Sequence, residues 1–231
     1  MTARAPFFRL LLAGTFLLGA AACDDAEGGG NAAGQEAQDA PDAEQEAFDL
    51  SEVGYDRGDP EAPIRIIEFS DFGCVHCQSF HRETYPALHE EFVEEGKVAW
   101  KYVPISIAGF PNAEEAALAA KCAGQQDRFF EVAELIYRDA EAWTEADDPD
   151  PVLLELGEEA GLGDLDAYGT CVQERRHMEQ VQEYSQLASE IGVQGTPTFV
   201  INGMPVQGAP PLDAFRQALN DLLEELEAAE G

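Results

Sequence analysis

The sequence predicts an α/β protein whose mixed sheet is interrupted by a helical insertion. Three observations carry this reading. A strand, helix, strand pattern runs through residues 64–103; a helical stretch occupies about residues 104–192; two further strands, joined by Asn202-Gly203, then lead into a last amphipathic helix. Hydrophobic residues make up 45% of the 231-residue chain, which supports a packed core and excludes wholesale disorder. The length suits one domain carrying an insertion, residues 50–231.

Each element has a local reason. Gly58-Asp59-Pro60-Glu61-Ala62-Pro63 is a turn cluster that hands over to Ile64-Arg65-Ile66-Ile67-Glu68-Phe69, a short β-branched run. It is apolar on both faces apart from Arg65 and Glu68, as a central buried strand requires. Cys77, Phe80, Thr84, Leu88 and Phe92 then recur at helical spacing, with Pro86 as a kink, and Val98–Val103 reads as a second strand. Strand, helix, strand makes a parallel crossover unit. In the insertion, Ala113–Cys122 is alanine-rich, and Phe129, Val132, Ala133, Ile136 and Tyr137 fit the i, i+3, i+4, i+7, i+8 template. An acidic loop over residues 139–151 divides the insertion, and Leu165, Tyr168 and Val172 form a shorter stripe. Sheet character returns at Thr198–Ile201; Asn202-Gly203 is a hairpin turn into Met204-Pro205-Val206. Phe215, Ala218, Leu219, Leu222, Leu223 and Leu226 share one face of the last helix.

Residues 1–22 read as an export signal: Arg4 and Arg9 precede an apolar run, Leu10–Leu18, and small residues lead to Cys23. The 14 uncharged residues from Leu10 to Cys23 fall short of the roughly 20 that a spanning helix needs. Cys23 after small residues resembles the acylation site of bacterial lipoproteins, which implies a lipid anchor; a plainly cleaved signal is the alternative. Residues 24–49 hold nine acids, no Lys or Arg and the run Gly28-Gly29-Gly30, a self-repelling tether with nothing to bury. The formal charge of −33 makes nucleic acid an unfavourable partner.

Chemistry concentrates at Cys74-Val75-His76-Cys77, directly after the first strand and at the start of the first helix. Three-residue spacing puts both sulfurs on one helical face, within reach of a disulfide. The first lies where unpaired N–H groups and the helix dipole favour a thiolate, so Cys74 is the candidate nucleophile and Cys77 the resolving thiol. His76, between them, offers a ring N–H or a positive charge to the thiolate. The acidity of the chain opposes ionisation, but charges beyond about 8 Å are screened whereas the helix N-terminus acts at contact. A structural disulfide is one alternative. A zinc site is another; with no second C-x-x-C it would have to draw on Cys122 and Cys171.

These residues resemble the DsbA-like thiol-disulfide oxidoreductases of the thioredoxin superfamily. The stretch GDPEAPIRIIEFSDFGCVHC is similar to that family's first strand and active-site helix start, PNAEEAALAAKCAGQQDRFFEVAELIY to its helical insertion, and IGVQGTPTFVING to its proline loop and hairpin. The similarity covers roughly Gly58 to Leu226, with Val75 standing where the family often has proline. The resemblance implies a thioredoxin-like fold and protein thiol-disulfide exchange without a cofactor. It makes Cys74 the attacking and Cys77 the buried cysteine, and Thr196-Pro197 a cis-proline loop that holds an extended client. Glu68 matches a buried acid beneath the site that would relay the Cys77 proton; a salt bridge to Lys or Arg is the alternative. Cys122 and Cys171, 49 residues apart, match positions of a structural disulfide. Implied partners are exported proteins with thiols or disulfides and a membrane redox partner. A quinone-linked oxidase would make the protein an oxidase, a membrane reductant a reductase or isomerase; a non-catalytic peptide-binding or chaperone module is the other class. The remaining histidines, His81, His89 and His177, read as solvated surface, and Trp100, Phe129 and Phe130 as core.

Overall fold

The structure, a computed structural model, describes Leu50 and residues 52–230; the export signal, Cys23 and the acidic tether lie outside the described residues. Among the described residues the strands are β1 (Tyr55–Arg57), β2 (Ile64–Ser70), β3 (Val98–Pro104), β4 (Thr198–Ile201) and β5 (Met204–Gln207). They form one mixed sheet in the order β1-β3-β2-β4-β5. β2 runs parallel to β3, with Ile64 opposite Val98 and Ser70 opposite Pro104, and antiparallel to β4, with Glu68 opposite Phe199. Paired on both edges, β2 buries Ile64, Ile66, Glu68 and Phe69, and Arg65 stays exposed. This is the central strand that the β-branched run predicts.

β1 was not foreseen. Its three residues carry no periodicity, and antiparallel pairing with β3, Tyr55 opposite Tyr102, is what makes them a strand. Gly54 lets it approach: a Cβ there would lie 2.3 Å from the Tyr102 carbonyl oxygen.

From Val75 to Val93 the chain is helical without a break: α1 (Val75–Ser79), a π-helical stretch (Phe80–Thr84), α2 (Tyr85–Leu88) and a second π-helical stretch (His89–Val93). Pro86 lacks an N–H and would crowd the carbonyl four residues back, so the expected kink is resolved as wider turns on either side of it. The insertion comprises α3 (Ala113–Gly124), α4 (Phe129–Arg138), α5 (Ala140–Thr144), α6 (Asp150–Glu159), α7 (Leu165–Gln173) and α8 (Met178–Glu190). All five predicted stripe residues of α4 are buried. The acidic loop expected over 139–151 is instead broken by α5, and α6 begins at Asp150. One apolar anchor overrides the local acidity there: Trp143 is fully buried and its indole N–H donates to the Ile136 carbonyl at 2.9 Å. On α9 (Leu212–Glu230), Phe215 and Leu219 are buried while Ala218 is exposed, a narrower stripe than expected.

The core has two main clusters. Phe80, Leu88, Trp100, Phe199, Phe215 and Leu219 pack α2, α9 and the π-helical stretch after α1 onto the sheet. Phe72, Cys74, Cys77, Tyr102 and Tyr137 pack with the insertion, so the cysteine pair sits in the insertion-side core.

Candidate active site

The turn from β2 into α1 builds the site. The Cys74 N–H donates to the Asp71 carbonyl at 3.0 Å, the Gly73 N–H to Asp71 Oδ1 at 2.9 Å, and the Gln78 N–H closes the first helical turn onto the Cys74 carbonyl at 3.0 Å. The Gln78 side chain donates back to the Phe72 carbonyl at 2.9 Å and pins the helix to that turn. Gly73 is required because a Cβ there would meet Phe110 at 2.3 Å. Cys74 is therefore the N-cap residue of α1, with extended backbone (φ −77°, ψ 120°) ahead of helical neighbours. It is 5% exposed, Cys77 is fully buried, and both are free thiols.

Across the site, Thr196-Pro197 is a cis peptide bond, and the Cys74 thiol donates to the Thr196 carbonyl at 3.3 Å. The loop is held from behind by Thr198 Oγ1 donating to the Gly195 carbonyl at 2.7 Å and the Gly208 N–H donating to the Pro197 carbonyl at 2.8 Å.

The two sulfurs are driven apart electrostatically. The Cys74 thiol is lowered to about 5, first because the Cys77 thiol donates a hydrogen bond to it. Burial opposes this, and the Thr196 side chain and the backbone N–H groups of Cys77 and His76 add to it. The thiol's own bond to the Thr196 carbonyl favours the protonated form, but the donors facing the sulfur outweigh it. Cys77 is raised well above its ordinary value, chiefly by burial and then by holding its proton toward Cys74; Ser70 and the Asp71 N–H offset part of this. Near neutrality Cys74 is a thiolate and Cys77 a thiol, the division that a nucleophile and its resolving partner require. The His76 contribution is its backbone N–H; its ring is exposed, as is Val75 at 64%.

Glu68 is fully buried, as an acid in an apolar strand can be only with partners. Its oxygens are occupied by Trp100 Nε1, which donates at 3.0 Å, and by His81 Nε2 at 2.7 Å, so the partner is a histidine and neither Lys nor Arg. This corrects the surface assignment of His81: its side chain is 7% exposed and stacks on Tyr137 with centroids 4.2 Å apart. His89 and His177 are likewise partly buried rather than fully solvated. A cavity of about 590 Å³, lined by Arg57, His81, Arg82, Tyr85, His89 and Glu134 among others, brings solvent to the histidine side of this pair. Besides Cys74, the groups hydrogen-bonded to Cys77 are Ser70 and the Asp71 N–H. Ser70 Oγ pairs with Tyr137 OH at 3.0 Å, and Tyr137 OH with Tyr102 OH at 2.5 Å. Tyr137 thus joins the hydroxyl chain from Cys77 to the ring stacked against the Glu68–His81 pair. Ser70, Tyr102 and Tyr137 were missed from sequence because nothing local marks a core hydroxyl as a partner of a distant thiol. Asp71 had a readable signal: an acid between Phe69 and Phe72, three residues before Cys74.

Cys122 and Cys171 form a disulfide, with Cα atoms 5.9 Å apart, that joins α3 to α7. Their sulfurs are thereby withdrawn from the zinc alternative, and no cluster able to hold a metal occurs among the described residues.

The thioredoxin family model matches residues 51–221. The probable disulfide bond formation protein D of Bacillus anthracis is 27% identical over 169 residues, covering 72% of this chain and 77% of that protein. The Na⁺/H⁺ antiporter NhaA 3 of Salinispora tropica is 31% identical over 165 residues, covering 71% of this chain; the chain spans about a quarter of the antiporter, 24% of its length. Among solved structures, α-DsbA1 of Wolbachia pipientis matches with TM-score 0.67 and 23% identity over 76% of this chain and 94% of that one. BdbD of Bacillus subtilis in its oxidised form matches with TM-score 0.65 and 20% identity over 76% and 95%. A family model that extends from before β1 into α9 means that the chain belongs to the thioredoxin family, and its fold is shared nearly end to end with these DsbA structures.

Proposed function

We propose that this thiol-disulfide oxidoreductase works in the oxidising direction on exported proteins, outside the cytoplasm and held to a membrane by an acylated Cys23. The observation that carries the direction is the low Cys74 pKa of about 5 beside a Cys77 raised well above the usual thiol range. At pH 7 a thiol moved from 9.0 to about 5 favours the reduced folded enzyme roughly a hundredfold. For a two-electron couple that is about 60 mV toward a stronger oxidant. The B. anthracis and B. subtilis relatives are named for disulfide bond formation, which supports the same direction.

In the proposed reaction the Cys74–Cys77 disulfide receives a client thiolate at Cys74, and Cys77 leaves with its electron pair and takes a proton. The client's second thiolate then attacks its own sulfur in the mixed disulfide and expels Cys74 as a stabilised thiolate. Two electrons pass from client to enzyme, the client gains a disulfide, and the enzyme is left as thiolate and thiol. The Thr196-Pro197 loop holds an extended client segment beside Cys74, through backbone groups of Thr196 that pair with no strand residue. The buried Glu68–His81 pair acts on the Cys77 proton through its field on the Ser70, Tyr137 and Tyr102 hydroxyls, which it meets across the His81–Tyr137 stack. A quinone-linked membrane oxidase restores the disulfide.

The test compares oxidation of a reduced unfolded client with reduction of insulin, alongside the potential measured against glutathione. Rapid client oxidation is expected. Efficient insulin reduction with slow client oxidation would reverse the direction, and inactivity in both assays would make the protein a binding module.

A further inference from the structure

We propose that Asp71 couples proton uptake to reduction of the cysteine pair and so sets its redox poise, an inference resting on the exchange chemistry above. Asp71 is fully buried in the turn that presents the nucleophile. Its backbone is committed on both sides, the carbonyl to the Cys74 N–H at 3.0 Å and the N–H to Cys77. One carboxyl oxygen, Oδ1, accepts from Gly73; the other, Oδ2, is buried and meets no donor in good hydrogen-bonding geometry, the Ile107 N–H acting on the carboxyl only loosely. A turn acceptor needs only Oδ1, which a neutral amide supplies equally well, so the buried charge is surplus to the local fold.

The charged groups that act on the carboxyl are Cys74 on α1 and Glu114 in the first turn of α3, both acidic; the N–H groups of Gly73 and Ile107 are its compensation. Burial foremost, and then these charges against the N–H groups, push Asp71 up to about 6. When a client dithiol reduces the enzyme, its two electrons break the Cys74–Cys77 bond. Of the two protons released, one goes to Cys77. The second goes to solvent or, near pH 6, in part to Asp71, whose ionised form the new Cys74 thiolate disfavours. Reoxidation expels that proton again. Ionised Asp71 opposes the thiolate and makes the enzyme a weaker oxidant; protonation relieves the opposition. Asp71 is thus a positioning residue for charge, acting through Cys74.

Two experiments test this, and neither needs a client. In Asp71→Asn, ultraviolet thiolate absorbance of the reduced protein should show the Cys74 midpoint falling by about half a pH unit or more. The potential at pH 7 should become more oxidising by about 15 mV per half unit. An unchanged midpoint in the folded variant would overturn the proposal. In the natural sequence, ¹³C NMR of the Asp71 carboxyl should give a lower midpoint in the oxidised protein, where Cys74 is neutral, than in the reduced one. Equal midpoints would overturn it whether or not the variant folds. Because these are titrations, failed client oxidation with shifted midpoints would strike only the proposed direction, and unshifted midpoints with efficient oxidation would strike only Asp71.

Discussion

Cys74→Ser in the reduced protein removes a thiolate whose folded-state pKa of about 5 lies far below the ordinary 9.0. A depressed acid adds stability that is complete above the unfolded value and vanishes as pH falls through the folded one, so the window here is pH 9 down to 5. At pH 7 two of the four units are expressed, which corresponds to about 2.7 kcal/mol at 1.36 kcal/mol per unit; at pH 5 about 0.4 kcal/mol remains. Cys74 is 5% exposed by area but only half enclosed by surrounding atoms, so solvent screening makes this figure an upper bound. Asp71, raised to about 6, contributes with the opposite sign over the lower part of this range, and the share of its shift that comes from the Cys74 charge goes with the thiolate. Urea unfolding of the reduced wild type and of Cys74→Ser at pH 7 and pH 5 is the assay. The stability gap should narrow by about 2 kcal/mol on acidification. A gap that stays constant within about 0.5 kcal/mol would show that the folded protein does not stabilise the Cys74 thiolate, and the oxidising mechanism would fall with it.

Other expectations follow from the same contacts. Glu68→Gln keeps an acceptor for Trp100 and removes the buried charge, so mixed-disulfide resolution should slow about tenfold with a shifted pH profile; stopped-flow rates identical across pH would end the relay. His81→Phe leaves one Glu68 oxygen unpaired and should cost about 2 kcal/mol in urea unfolding, while unchanged stability would mean the pair is dispensable. Cys122→Ser with Cys171→Ser should lower stability by about 4 kcal/mol, from the 49-residue separation, and leave exchange intact in the folded protein; loss of exchange would give that disulfide a redox role. Cys23→Ala should leave the membrane fraction, and unaltered fractionation would refute acylation.

Features legible in the chain are those with a local cause. The β-branched run Ile64–Phe69 and the stripe Phe129–Tyr137 state their own period, and burial follows from that period. Cys74 and Cys77 were readable because helix-start position and three-residue spacing are themselves the chemistry. Resemblance added the Thr196-Pro197 loop and the Cys122–Cys171 pairing, neither of which spacing alone supplies.

What lay beyond local reading depends on residues far apart in sequence. Tyr55–Arg57 is a strand only because β3 offers an edge, and α5 exists because Trp143 packs into the insertion core and bonds the Ile136 carbonyl. His81, an exposed-looking polar residue on a helix, turns inward because Glu68 on β2 lies opposite it and a buried carboxylate demands a partner. The sequence by itself determined where a thiolate would form and which elements would present it, since helix ends and hydrophobic periods act within a few residues. Only the tertiary structure decided how strongly that thiolate is held, because the Thr196 loop that faces the sulfur and the Glu114 charge beside Asp71 reach the site through folding and not through adjacency.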